Sequence, residues 1–157
     1  MSRTENVLFN LPIRELSPAT PISVEVGCQL VDAIKLMQEH RIGCVLVTRN
    51  EHVQGIITER DLTLYVLNRN VDINTARVEQ FMTENPECLE LSDPISYAMN
   101  RMNLGGFRHV PIIDQQKRPV GIISVKDIVN LLVEEFPQAV MNLPPEPRIY
   151  PEAPEGA

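Results

Sequence analysis

Tryptophan is absent and aromatic residues make up only 4% of the 157 positions. Single-stranded nucleic acid is held by stacking bases on aromatic rings inside a basic groove, and the rings for that are missing. The charge is missing too: 14 Lys and Arg against 21 Asp and Glu leave a formal charge of −7. A long polyanionic backbone meets net repulsion from such a chain, whereas a small anion needs only a few local cations. Cysteine is scarce. Cys28, Cys44 and Cys88 are odd in number and form no CxxC pair, which argues against a disulfide framework and against zinc. His40, His52 and His109 show no metal-ligand spacing either. No apolar run approaches the ~20 residues that span a bilayer. The stretch from Met1 to Leu16 lacks the basic start and apolar block of an export signal. These absences point to a cytoplasmic protein with no membrane and no nucleic-acid partner. Also lacking are a GxxxxGK phosphate loop, a Ser-His-Asp order with recognisable context and any metal spacing, so catalysis, a catalytic cofactor and a metal site are not expected.

What the chain does have is a repeat. With Thr20-Pro21 laid over Asn85-Pro86, the two halves run in step at an offset of 65 residues. Leu30, Ala33, Ile34 and Met37 fall on Ile95, Ala98, Met99 and Met102, and Val45 and Val47 fall on Val110 and Ile112. A one-residue insertion between Gln115 and Pro119 shifts the offset to 66. Gly55-Ile56-Ile57-Thr58 then falls on Gly121-Ile122-Ile123-Ser124, and Asp61 on Asp127.

Each copy predicts the same elements. Leu30 to Met37 follows the i, i+3, i+4, i+7 stripe of an amphipathic helix. Asp93 reads as the N-cap of the second copy's helix with Pro94 at its first position; Cys28 in the place of Asp93 is a weaker start. Two short apolar runs follow, Cys44 to Val47 and Val53 to Ile57, matched by Val110 to Ile113 and Val120 to Ile123, each pair joined by a polar turn. Cys44, inside the first of these runs, reads as a small core residue. A second helix closes each unit, over about Glu59 to Leu67 and about Val125 to Glu135. The predicted fold is therefore a mixed α/β (α+β) arrangement: two pseudo-symmetric β-α-β-β-α repeats packed sheet to sheet. Each ~50-residue unit is too small to bury a good core alone, and pairing the copies solves that. The predicted organisation is an N-terminal arm over 1–15, a first repeat over 16–70, a linker over 71–81, a second repeat over 82–136 and a proline-rich disordered tail over 137–157. Pro144-Pro145-Glu146-Pro147 in that tail matches PxxP, but reads more simply as solvated chain.

Two segments carry the chemistry: Gly55-Ile56-Ile57-Thr58-Glu59-Arg60-Asp61 and Gly121-Ile122-Ile123-Ser124-Val125-Lys126-Asp127. Each runs from strand into helix. A Ser or Thr with an acid three residues on is a capping-box signature. The same geometry suits a ligand. A helix N-terminus offers N–H groups and partial positive charge to a phosphate. The hydroxyl of Thr58 or Ser124 can donate to that phosphate, and the carboxylate of Asp61 or Asp127 can accept from the two hydroxyls of a ribose. Gly55 and Gly121 leave room for a close approach to the strand, and Arg60 and Lys126 add matching positive charge.

These residues are the ones that resemble the cystathionine-β-synthase (CBS) domain family, in which a Gly–apolar–apolar–Thr/Ser–x–x–Asp segment gives its hydroxyl to phosphate and its Asp to ribose. The resemblance covers about residues 16 to 136, as a stand-alone tandem pair. It implies AMP, ADP or ATP as ligand, less often S-adenosylmethionine or NAD, with magnesium open, and a homodimer of such pairs. Phe107-Arg108-His109-Val110-Pro111 resembles the basic pair that contacts phosphates in nucleotide-binding members, which assigns Arg108 and His109 to that role. Gly43-Cys44 stands at those places in the first copy, so the two clefts are expected to differ in their grip on phosphate. The stretches beginning at Pro21 and Pro86 lie where an adenine slot is expected. The implied function is a sensor: a nucleotide bridges the repeats and shifts the dimer surface shown to a regulated protein. The rival reading is a ligand-free dimerisation or docking scaffold, in which the two caps only stop helices.

Overall fold

The computed structural model describes residue 7 and residues 9–137; the expectation for the proline-rich tail therefore lies almost wholly outside the described residues. A 3-10 turn at Ile13–Leu16 is followed by strand β1 (Ser23–Glu25), helix α1 (Leu30–His40) and strands β2 (Cys44–Arg49) and β3 (His52–Thr58). Helix α2 is one turn, Glu59–Asp61, prolonged by a π turn over Leu62–Val66. The second half runs through a 3-10 turn at Val78–Gln80, β4 (Thr83–Glu84), α3 (Ile95–Gly105), β5 (His109–Ile113), β6 (Pro119–Ser124) and α4 (Val125–Glu135). No helix among the described residues is long and apolar enough to cross a membrane.

The mixed α+β architecture is the one the periodicities call for. One sheet has the order β1-β2-β3-β4, with β1 parallel to β2 and the other pairs antiparallel; β5 and β6 form a second, antiparallel pair. Strand β2 reads as a continuous apolar run because both its faces are covered. Val47, with Ile57 of β3, packs against Leu30 and Ala33 of α1. Cys44 and Leu46, with Ile56, face the other way and meet Ile122 of the second sheet. The two repeats therefore pack sheet to sheet. The inferred insertion lies in a turn, as expected of a duplication. Asn50 and Glu51 join β2 to β3 with φ of 49° and 67°, the signature of a two-residue hairpin turn. The corresponding turn between β5 and β6 is longer and is built on Asp114, whose carboxylate accepts from the N–H groups of Gln116 and Arg118.

Neither repeat is complete on its own. The N-terminal segment, which precedes the first repeat, packs into the core of the second: Ile13 is fully buried with Leu89, Ile95, Ala98 and Val110. Its counterpart 65 residues on, Val78, is fully buried in the first core with Leu30 and Ala33. The hydrogen bonds repeat the exchange. Ile13 N–H donates to Asp93 O at 2.8 Å, as Val78 N–H donates to Cys28 O at 3.0 Å. The first N–H of α3 is taken by Leu11 O and the first N–H of α1 by Ala76 O, each at 2.9 Å. Helix starts leave such groups without intrahelical partners, and here the exchanged segments supply them. Beyond these turns, Ala19 bridges Ile122 of the second sheet, and β4 pairs with Gly55 and Ile56 of the first.

Two expectations are corrected. Helix α3 begins at Ile95 with Pro94 as N-cap, and the Asp93 carboxylate instead accepts from Glu90 N–H at 2.8 Å. The preceding carbonyl of Leu11 already serves the helix start, so no side-chain cap is needed. The strand expected before α3 shrinks to a single bridge, Leu89 to Ile112. In the first repeat the Leu46 N–H donates to Ile22 O; Pro111 holds the matching place in the second repeat and has no N–H to give.

The exchange predicts that a residue far from either helix in sequence anchors the second repeat. Ile13→Ala is expected to cost about 2–5 kcal/mol, as for other fully buried large-to-small changes, read as a shift in the urea midpoint of unfolding. A loss within about 0.5 kcal/mol, the range of surface substitutions, would contradict the packing.

Candidate functional site

The strand-to-helix segments fold as capping boxes. Thr58 N–H and Thr58 Oγ1 both donate to Asp61 Oδ2, at 2.8 and 2.9 Å, and Asp61 N–H returns a bond to Thr58 Oγ1 at 3.3 Å. Ser124 N–H and Oγ donate to Asp127 Oδ2 in the same way, at 2.6 and 3.0 Å. All these carboxylate contacts use one oxygen, Oδ2, so each acid keeps Oδ1 clear of its own cap. Asp61 is buried at 8% exposure, a costly place for a carboxylate that the two donors offset.

Two expected contributions to anion binding are smaller than the sequence suggests. Helix α2 has only three α-helical residues before its π turn, so its dipole is weak. Its Glu59 N–H is already bonded to Gly43 O, and Val125 N–H to Arg108 O, each at 3.0 Å. The motif glycines also serve a different purpose. A Cβ on Gly55 would collide with the sulfur of Met82, and one on Gly121 would sit 2.7 Å from Pro18 Cβ. The space they leave is filled by the exchanged segments, not kept open for a ligand.

The open space lies elsewhere. A cleft of about 910 Å³ opens between the repeats. One wall is Ile56, Thr58, Glu59, Arg60, Asp61, Thr63 and Leu64; facing it are Gly105, Gly106, Phe107, Arg108 and His109; Thr83, Asn85, Pro86 and Glu87 close the side. Of the expected residues, Thr58, Arg60, Asp61, Arg108 and His109 come together here. Ser124, Lys126 and Asp127 do not line this cleft; they sit at the pseudo-symmetric helix start, α4. The sequence left open which cleft the basic pair faces: Arg108 and His109, from the second repeat, face the Thr58–Asp61 cap of the first. Arg60 reaches across, its Nη1 donating to Gly106 O at 3.1 Å. Of the two stretches expected near an adenine slot, Pro86 lines this cleft and Pro21 does not. Sequence reasoning missed Glu59, Thr63 and Glu87 as lining. Glu59 stands inside the motif and was there to be found; Thr83 and Glu87 arrive only through the pairing of β4 with β3.

His109 packs on Gly43, its Cε1 and Nε2 lying 3.2 and 3.4 Å from where a Cβ on that glycine would stand. A side chain at position 43 would have to displace the ring. Burial pushes the His109 pKa below its ordinary 6.5; the carboxylates of Glu59 and Asp127 pull it back up, and Arg108 adds to the fall. Beside it, burial and the Glu59 charge push the Cys44 thiol up to about 12, which keeps it protonated and unreactive at neutral pH.

The His109 shift has a sign. The folded state favours the neutral ring, so the unfolded state binds more protons once pH falls below 6.5. The stabilisation is fully present above 6.5 and is lost as pH falls towards the depressed folded pKa. Denaturant unfolding at pH 7.5 and pH 5.5 is expected to show a loss for the native chain that is smaller in His109→Gln. Equal losses in both would remove His109 as the source.

Comparison with known proteins places the chain. The CBS domain model matches it twice, over residues 13–68 and 78–134. The CBS domain-containing protein CBSCBSPB3 of Arabidopsis thaliana is 30% identical over 124 residues, 79% of this chain and 21% of the plant protein. A 17.7 kDa protein of Acidianus ambivalens is 33% identical over 112 residues, 71% of this chain and 66% of that one. The chain thus spans about a fifth of the length of the plant relative and just under two thirds of the archaeal one. Among solved structures, a CBS-domain protein from Burkholderia ambifaria MC40-6 is 30% identical with a TM-score of 0.73, covering 79% of this chain and 95% of that one. The CBS domain protein PAE2072 from Pyrobaculum aerophilum, complexed with AMP, shares the fold at 21% identity and a TM-score of 0.71, covering 80% and 98%. The CBS domain pair of MJ0100, in complex with 5′-methylthioadenosine and S-adenosyl-L-methionine, shares it at 22% and 0.71, also covering 80% and 98%. This chain belongs to the CBS-domain family and is a tandem CBS pair.

Proposed function

We propose that this CBS pair is a cytoplasmic regulatory module, not an enzyme, that binds an adenosine nucleotide in the cleft between its repeats. The observation that carries the reading is the convergence of Thr58, Arg60 and Asp61 from one repeat with Arg108 and His109 from the other around a single cleft of ligand size. Asp61 Oδ1 accepts from the ribose hydroxyls. Thr58 turns its hydroxyl from Asp61 to the phosphate, with Arg108 and Arg60 as counter-ions and His109 beside them. The slot at Ile56, Thr83 and Pro86 receives the base. That two CBS pairs of the same fold hold AMP or adenosyl ligands supports an adenosine group, with AMP, ADP and ATP ahead of S-adenosylmethionine or NAD for this chain. Ser124, Lys126 and Asp127 form a second, weaker site, since Gly43-Cys44 brings no charge to it.

The proposed regulation uses the two walls of the cleft. A ligand touching both walls favours one relative setting of the repeats, by no more than its differential affinity for the two settings. The readout is a homodimer surface offered to a regulated protein. Val125, Val129 and Val133 form an exposed apolar row along α4, and Leu64 and Tyr65 are exposed beside the cleft. Apolar rows of this kind mark contact surfaces.

Isothermal titration with AMP, ADP, ATP, S-adenosylmethionine and NAD, with and without magnesium, tests the reading. Asp61→Ala is expected to weaken binding at least tenfold, because hydrogen bonds to a charged group are worth about 1.5–3 kcal/mol each. Asp61→Asn, which keeps a capping acceptor, is expected to weaken it less. Unchanged affinity in Asp61→Ala would remove the ribose assignment. No heat from a folded protein with any of these ligands would leave the docking-scaffold reading.

A further inference from the structure

The charges around the cleft are balanced, and that balance limits the ligand. Two guanidinium groups, Arg60 and Arg108, face it, together with the carboxylates of Glu59, Asp61 and Glu87. Glu87 is compensated from outside: its carboxylate lies 3.0 Å from Arg101 Nε, a Coulombic contact whose N–H is not aligned on the oxygen. Arg101 is held in turn by Tyr97, donating from Nη2 to the phenol oxygen at 2.8 Å with its guanidinium carbon 5.0 Å from the ring centre. Burial disfavours the charged form of His109, so it is not counted among the cations. Two cations therefore stand against two uncompensated carboxylates. Glu59 is the one with no ribose to bind. Its carboxyl carbon lies 3.6 Å from the Cβ position of Gly43, against which the His109 ring also packs, so its charge sits among the groups assigned to phosphate. The second repeat has Val125 at the matching place.

We propose that the cleft selects for low phosphate charge, taking a nucleoside monophosphate ahead of the triphosphate, and that Glu59 is the residue that sets this preference. The inference rests on the nucleotide reading above and deepens it. A single phosphate can sit between Arg60 and Arg108, whose charges Glu59 and Asp61 already offset. A triphosphate carries about two further negative charges, which find no surplus cation and are repelled by Glu59. Like charges a few ångströms apart at a wet surface cost enough to lower affinity several-fold per charge.

The test is titration of the full chain with adenosine, AMP and ATP in EDTA-containing buffer at low ionic strength, for the native protein and for Glu59→Gln. The expected result is AMP bound at least about fivefold more tightly than ATP, with the ratio narrowing several-fold in Glu59→Gln because ATP gains more than AMP. ATP bound as tightly as AMP by the native chain would overturn the charge selection while leaving the nucleotide reading intact. An AMP-to-ATP ratio unmoved by Glu59→Gln would overturn the role of Glu59. No heat with any of the three, from folded protein, would take down the nucleotide reading and this proposal with it.

Discussion

The structure depends on an exchange. The segment before the first repeat completes the second core through Ile13, and the segment after the first repeat completes the first core through Val78. Each also supplies the carbonyl that satisfies the first N–H of a helix. Units of about 50 residues bury too little surface to stand alone, and the exchanged segments add a fully buried side chain to each core. It also fixes the glycines of the motif, because Met82 and Pro18 run directly over Gly55 and Gly121. The cleft follows from the same constraint. Once the sheets are held together through Cys44, Leu46, Ile56 and Ile122, the start of β5 is brought opposite the cap of α2.

Duplication alone would produce two equal clefts, and point differences break the equality. Arg108 and His109 replace Gly43 and Cys44, and both line the cleft of the first repeat's cap. Glu59 replaces Val125 within that same cleft. The first difference adds positive charge to the cleft and the second subtracts from it. The outcome is a site with local cations and no net excess, in a protein whose overall charge is −7. His109 lies where these differences meet, close to both Glu59 and Asp127.

Much of this was legible in the sequence. The helical stripes from Leu30 and Ile95, the paired apolar runs and the indel at a turn are local signals, and the structure follows them. The capping boxes were legible because their partners are three residues apart. The exchange was not, since Ile13 and Val78 show no period of their own and gain meaning only from contacts with residues far off in the chain, such as Asp93 and Cys28. The purpose of Gly55 and Gly121 was misread for the same reason: the atoms that require them belong to the exchanged segments. The start of α3 was misplaced because a backbone carbonyl from Leu11 does the work expected of Asp93. The side of the cleft that Arg108 and His109 occupy depended on how the repeats face each other, which no local pattern encodes.

One cleft, assembled from both repeats, is the proposed seat of the nucleotide. A crystal structure of the full chain with AMP tests it most directly. The ribose is expected on Asp61, the phosphate between Arg108 and Arg60, and the Thr58 hydroxyl turned from Asp61 to the phosphate. AMP lodged only against Ser124 and Asp127, or at a place touching a single repeat, would contradict this placement.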